Sequence, residues 1–162
     1  MSKSIIVDSE NVTRILRRDW FDEGKLMHVA FALRNAETYI SVNRPFVSSF
    51  RKDVKDFVMS HSDYAFGEDN QECCLANLNV GDIRGIQVIL GRERINIDVD
   101  VESRDTHVKS HAGIFTRYDK VTLKKGGTIN DGKKGVILST DDILLKVRLQ
   151  LLYKATWKQM PL

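Results

Sequence analysis

The sequence predicts an α+β domain, with a mainly antiparallel sheet of about five to seven strands, helices packed on one of its faces, and a long C-terminal helix. Three observations lead there. Residues 95–102 alternate without a break, Ile95, Ile97, Val99 and Val101 against Asn96, Asp98, Asp100 and Glu102. A strand sends successive side chains to opposite faces, so this segment reads as half-buried, with one apolar and one acidic face. Short apolar runs separated by turn residues recur along the middle of the chain, which favours hairpins over a doubly wound parallel sheet. Near the end, Ser139-Thr140-Asp141 precedes a broad run of leucines at helical spacing.

Taken in order, Asp8-Ser9-Glu10 resembles a helix start, and Val12, Ile15 and Leu16 follow at helical spacing. Residues 29–33 and 38–43 read as two strands of a hairpin. Pro45 sits where a first helical turn would begin, and Phe46, Phe50, Val54, Phe57 and Val58 keep a helical period. Residues 62–72 are polar and read as a loop. Residues 73–80 are a strand candidate, and Gly81-Asp82-Ile83-Arg84 opens a short helix or turn. Residues 87–90 and 95–102 form a hairpin turning at Gly91-Arg92. Residues 108–116, 121–124 and 135–138 are further strands, and a final helix runs from 139 through Trp157.

The 162 residues are the size of one domain, 1–162, with no repeat or linker. No stretch reaches the roughly 20 apolar residues that a membrane span needs. The first residues lack the apolar core of a secretory signal, so the expected location is cytoplasmic. Cys73 and Cys74 are adjacent. Neighbouring strand residues face opposite ways, so they are expected to stay reduced and buried. The net charge of +3 permits a nucleic acid or another anionic partner without requiring one.

Four segments are candidates for chemistry. Asp98 and Asp100 lie about 7 Å apart on one strand face, a spacing that holds a metal only if the side chains converge; a solvated sheet face is the alternative. His111, in Ser110-His111-Ala112-Gly113-Ile114, has an intrinsic pKa suited to proton transfer, and Gly113 leaves room beside it for a ligand or another backbone. Ser41, Asn43 and Arg44 lead into a helix start that can hold an anion; otherwise Asn43 caps the helix and Arg44 pairs with a surface acid. Lys125, Lys133 and Lys134 lie on a glycine-rich loop able to meet a phosphate backbone, or simply solvated.

In order, Ser41-Val42-Asn43-Arg44, Val80-Gly81-Asp82-Ile83 and Ser110-His111-Ala112-Gly113-Ile114 give the chain an arrangement that resembles small bacterial proteins of unknown function. That resemblance implies that Arg44, Asp82 and His111 share a site; it implies no activity. Two functions are expected from these residues. One is a non-catalytic binding or regulatory module for a macromolecular or anionic partner. The other is a small hydrolase or transferase on a phosphate-bearing substrate, with His111 moving the proton, Arg44 holding the anion, and Asp82 or Asp98 orienting or binding metal. No cofactor is implied by any motif. The wide apolar face of the last helix, with Trp157 near its end, raises a homodimer as a further expectation.

Overall fold

The computed structural model describes residues 5–104, 106–131 and 135–162. The strands are β1 (Asn11–Ile15), β2 (Phe21–Asp22), β3 (Lys25–Leu26), β4 (Ile40–Asn43), β5 (Glu72–Asn79), β6 (Val88–Leu90) and β7 (Glu93–Ile95). They continue with β8 (Ile97–Ser103), β9 (His111–Tyr118), β10 (Val121–Thr122), β11 (Thr128–Asp131), β12 (Val136–Ser139) and β13 (Thr156–Pro161). The helices are α1 (Phe50–Ser60), α2 (Val80–Arg84) and α3 (Thr140–Lys154). None of them is long and apolar enough to cross a membrane, among the described residues.

The chain is α+β, as its patterning predicts. Among the described residues the main sheet is seven-stranded and antiparallel at every pairing. β8 runs along one edge of β9 from Ile97↔Tyr118 to Ser103↔Ala112. The other edge of β9 is shared, with β4 beside its first half and β10 beside its second. From β4 the order continues through β1 and β5 to β13. The 95–102 segment is interrupted at Asn96: β7 closes a hairpin with β6 over Gly91-Arg92, and β8 then joins the main sheet.

The register assigns two faces. On one, Val12, Val42, Cys74, Leu78, Val101 and Ile114 pack against Ile143, Val147 and Leu151 of α3. On the other, Ile15, Cys73 and Leu75 pack against Val54 and Val58 of α1. Helices therefore cover both faces, not one. The adjacent cysteines enter different cores, as strand alternation requires, and burial pushes both thiols up, Cys74 to about 11.

Two-sided burial explains where the sequence pattern misleads. β1 was expected as a helix, because Val12, Ile15 and Leu16 have helical spacing. A central strand covered on both faces needs apolar residues on both, so the alternation vanishes. Residues 29–33 are not a strand: His28–Phe31 is a 3-10 turn, and Ala30 and Phe31 drop into the core. β4 pairs with β1 and β9 instead of a hairpin partner. The middle helix starts at Phe50, after turns at Pro45 and beyond, which leaves Phe46 exposed.

The last helix ends at Lys154, and Trp157 lies in β13, an edge strand on β5. Its indole packs edge-on against Phe21, with ring centres 4.9 Å apart. Ile143, Val147 and Leu151, the middle of the apolar stripe of α3, are in the core of their own chain.

A buried ion pair ties the start of β1 to the end of β4. Arg44 Nε donates to Glu10 Oε1 at 2.6 Å and Nη2 to Oε2 at 3.1 Å, with side chains 4% and 8% exposed. Breaking such a pair strands a charge in low dielectric. Glu10→Gln or Arg44→Met is expected to cost about 3–5 kcal/mol in urea denaturation, while Glu10→Leu with Arg44→Met recovers most of it. A loss below about 1 kcal/mol in either single variant would show that the pair is not sealed from water.

Candidate functional site

α1 covers its face of the sheet only over β1 and β5. Beyond it the same face of β4 and β9 adds no residue to the cluster under the helix, and the step between helix and sheet forms a cleft of about 910 Å³. Ser41, Asn43 and His111 form its floor, brought side by side by the pairs Asn43↔His111 and Ser41↔Gly113. Lys52, Asp53, Asp56 and Phe57 of α1 form one wall, continued by His61, Asp63 and Tyr64. Arg34 and Glu37 enter from the segment before β4, and His107 and Val108 from the β8–β9 loop.

His111 is half-buried. Its Nε2 lies 3.3 Å from Ser41 Oγ and its Nδ1 3.3 Å from Thr106 Oγ1. Both ring nitrogens face hydroxyls, which accept or donate as the tautomer demands. Burial, then the positive Arg104, then His107, hold its pKa below the ordinary histidine value. The room expected beside Gly113 is taken: a Cβ there would lie 2.7 Å from Tyr39 Cδ2, so the Tyr39 ring occupies the space in place of a ligand. Arg104 lies 4.5 Å above that ring, and Phe115 is 5.3 Å from it.

The floor is locked to α1 through Asp53. Its Oδ2 accepts from Ser110 Oγ at 2.6 Å, Ser49 Oγ at 2.8 Å and the Ser110 amide at 3.1 Å. Ser110 Oγ in turn accepts from Asn43 Nδ2 at 2.9 Å. Ser49, not Asn43, occupies the cap position of α1. Burial alone would raise the Asp53 carboxyl; the Ser110 and Ser49 hydroxyls, the Ser110 amide and Lys52 outweigh it and hold it below its ordinary value. From the sequence, Asp53, Asp56 and His61 read as a solvated helix face and Ser110 only as a neighbour of His111, because nothing there joins residues 57 positions apart.

Arg14 fills the gap where β1 and β4 diverge after Thr13↔Asn43. Nη1 donates to Ser41 O and Nε to Ala30 O, both at 2.8 Å, and the guanidinium lies 4.8 Å over Trp20. Burial pulls its pKa to about 10, so it remains charged at neutral pH.

No family model, curated protein or solved structure matches the chain.

Of the residues expected in a site, Ser41, Asn43 and His111 line the cleft, and the other described ones lie elsewhere. The guanidinium of Arg44 faces Glu10 in the interior instead of an anion. Asp82 is exposed on α2, where its amide is capped by Asn79 Oδ1 at 3.0 Å. Asp100 is engaged by Arg84 Nε at 2.7 Å, and Glu102 by Arg117, so arginines neutralise much of the acidic strand face; Asp98 is exposed. Among the described residues no three His, Cys, Asp or Glu side chains converge as metal ligands. Lys125 is exposed in the turn tied to the start of α3 by Gly126 N–H donating to Asp141. Lys133 and Lys134 lie outside the described residues.

Asp53→Asn should lower stability at pH 7 by about 1–2 kcal/mol, since charge-assisted hydrogen bonds at a partly exposed carboxylate are replaced by weaker ones. Because the folded value is depressed, this contribution is full above the unfolded carboxyl value of about 3.9 and fades as pH falls through the folded one. The wild-type and variant denaturation curves should therefore converge in acid; a gap that persists there would rule out the carboxylate as the cause. The His111 ring should titrate below about 6.5 by NMR, and Arg104→Gln should move it upward. No upward movement would remove Arg104 as a cause.

Proposed function

We propose that this chain is a non-catalytic binding module whose cleft takes an anionic, phosphate-bearing ligand. The observation that carries the reading is the convergence of Arg34 with His61, His107 and His111 on one concavity. Other cations there are already matched: Lys52 pairs with Asp56 at 2.6 Å and Arg17 with Asp63 at 3.4 Å. Arg34 has no ion pair among the described residues, which leaves its fork of donors for a ligand.

The charge balance bears on the size of that ligand. Arg14, Arg17, Arg34 and Lys52 are offset by Glu37, Asp53, Asp56 and Asp63. A long polyanion would meet those acids and be repelled, whereas one or two phosphates beside Arg34 and the histidines would not. Affinity for inorganic phosphate or a sugar phosphate is measured by calorimetry at pH 7. Arg34→Ala should reduce it about tenfold. Binding that is unchanged in Arg34→Ala would remove this reading.

A second reading is supported by His111 itself. A neutral imidazole held between two hydroxyls on the floor of a cleft is a competent proton acceptor. It ranks second because, among the described residues, no carboxylate is hydrogen-bonded to the ring to orient it or to stabilise the imidazolium. The test is a panel of RNA, DNA and nucleotides, with turnover by the wild type and none by His111→Ala. No turnover by the wild type would count against catalysis on this substrate class.

A further inference from the structure

We infer that the ligand of this cleft is a nucleoside phosphate, its base stacked on the open face of the His61 ring. The inference rests on the anion-binding reading and adds the aromatic half of the ligand. Phe57 and His61 lie one helical turn apart at the end of α1, with rings 4.3 Å apart and inclined by only 19°. His61 Nδ1 lies 2.9 Å from Phe57 O, which fixes the ring about its last torsion. Tyr64 abuts both rings edge-on, at 4.8 Å from Phe57 and 6.3 Å from His61.

Three rings are thus held rigidly on the cleft wall, yet His61 is exposed and is not part of either core cluster. Phe57 occupies one face of the imidazole, and no other ring stacks on the opposite face among the described residues. A planar base laid there would extend the stack. Every base has a π-face, so this subsite selects for a base without selecting which one.

The remaining lining fits the rest of such a molecule. Asp63, beside the rings, accepts hydrogen bonds from ribose hydroxyls or exocyclic amines but repels phosphate. The phosphate is therefore directed to Arg34, His107 and His111. A cleft of about 910 Å³ is at the upper end of the range that encloses small ligands, roughly 300–1,000 Å³, so a mononucleotide fits.

Calorimetry with the four ribonucleoside 5′-monophosphates, ribose 5-phosphate and inorganic phosphate separates the two claims. At least one nucleotide should bind about tenfold or more tightly than ribose 5-phosphate. His61→Ala should erase that margin, so that each nucleotide and ribose 5-phosphate bind the variant alike, and His61→Phe should restore it. Circular dichroism checks that these exposed-site variants keep the fold. If every nucleotide binds only as well as ribose 5-phosphate, or if the margin survives His61→Ala, the stacking inference is overturned and the anion reading stands. If none of the phosphates binds, both fall.

Discussion

Everything at the site follows from how much of the sheet is covered. β1 and β5 are buried on both faces, between α3 on one side and α1 on the other. The same face of β4 and β9 adds no residue to the cluster beneath α1; Tyr39, Phe115 and Arg104 cover part of it instead. The cleft is the step left over. Its floor carries polar residues, Ser41, Asn43 and His111, on the same face where Ile15 and Leu75 are apolar beneath the helix.

That step has to be held open against collapse, and polar ties do this. Asp53 joins the first turns of α1 to Ser110, one residue before His111, through two hydrogen bonds to the same carboxylate oxygen. Arg14 spans the divergence of β1 and β4, where a ladder of backbone bonds would otherwise close the gap. Arg44 and Glu10 lock the other end of those two strands. Each is a long-range contact between charged or polar groups, and each fixes a distance that apolar packing alone would leave adjustable. On the open face, Tyr39, Phe115, Arg104 and Arg117 stack on one another and shield a stretch that no helix covers.

Legibility in the sequence tracked burial on one face against burial on two. β8 was readable from Ile97, Val99 and Val101 alternating with acids, because its acidic face is turned away from the core. β1 was not, since Val12 and Ile15 serve different cores and their spacing imitates a helix. α1 was readable from Phe50, Val54, Phe57 and Val58, but its start was not, because the turns after Pro45 carry apolar residues too. His111, Ser41 and Asn43 were picked out one at a time from residue type. What placed them beside Arg34, His61 and Asp53 is strand register and the path of α1, which no local pattern encodes.

The amino-acid sequence by itself determined the class of the protein: an antiparallel α+β fold with two adjacent cysteines on opposite strand faces and a long helix near its end. Those properties depend on residue type and on periods of two or 3.6, both of which are local. Tertiary structure alone decided that Arg44 is an internal ion-pair partner, that Trp157 belongs to an edge strand, and that Phe57, His61 and Tyr64 form one aromatic wall opposite His111. Those outcomes turn on which distant segments meet, and a charged or aromatic side chain has the same local signature whether it meets a ligand, an opposite charge or another ring.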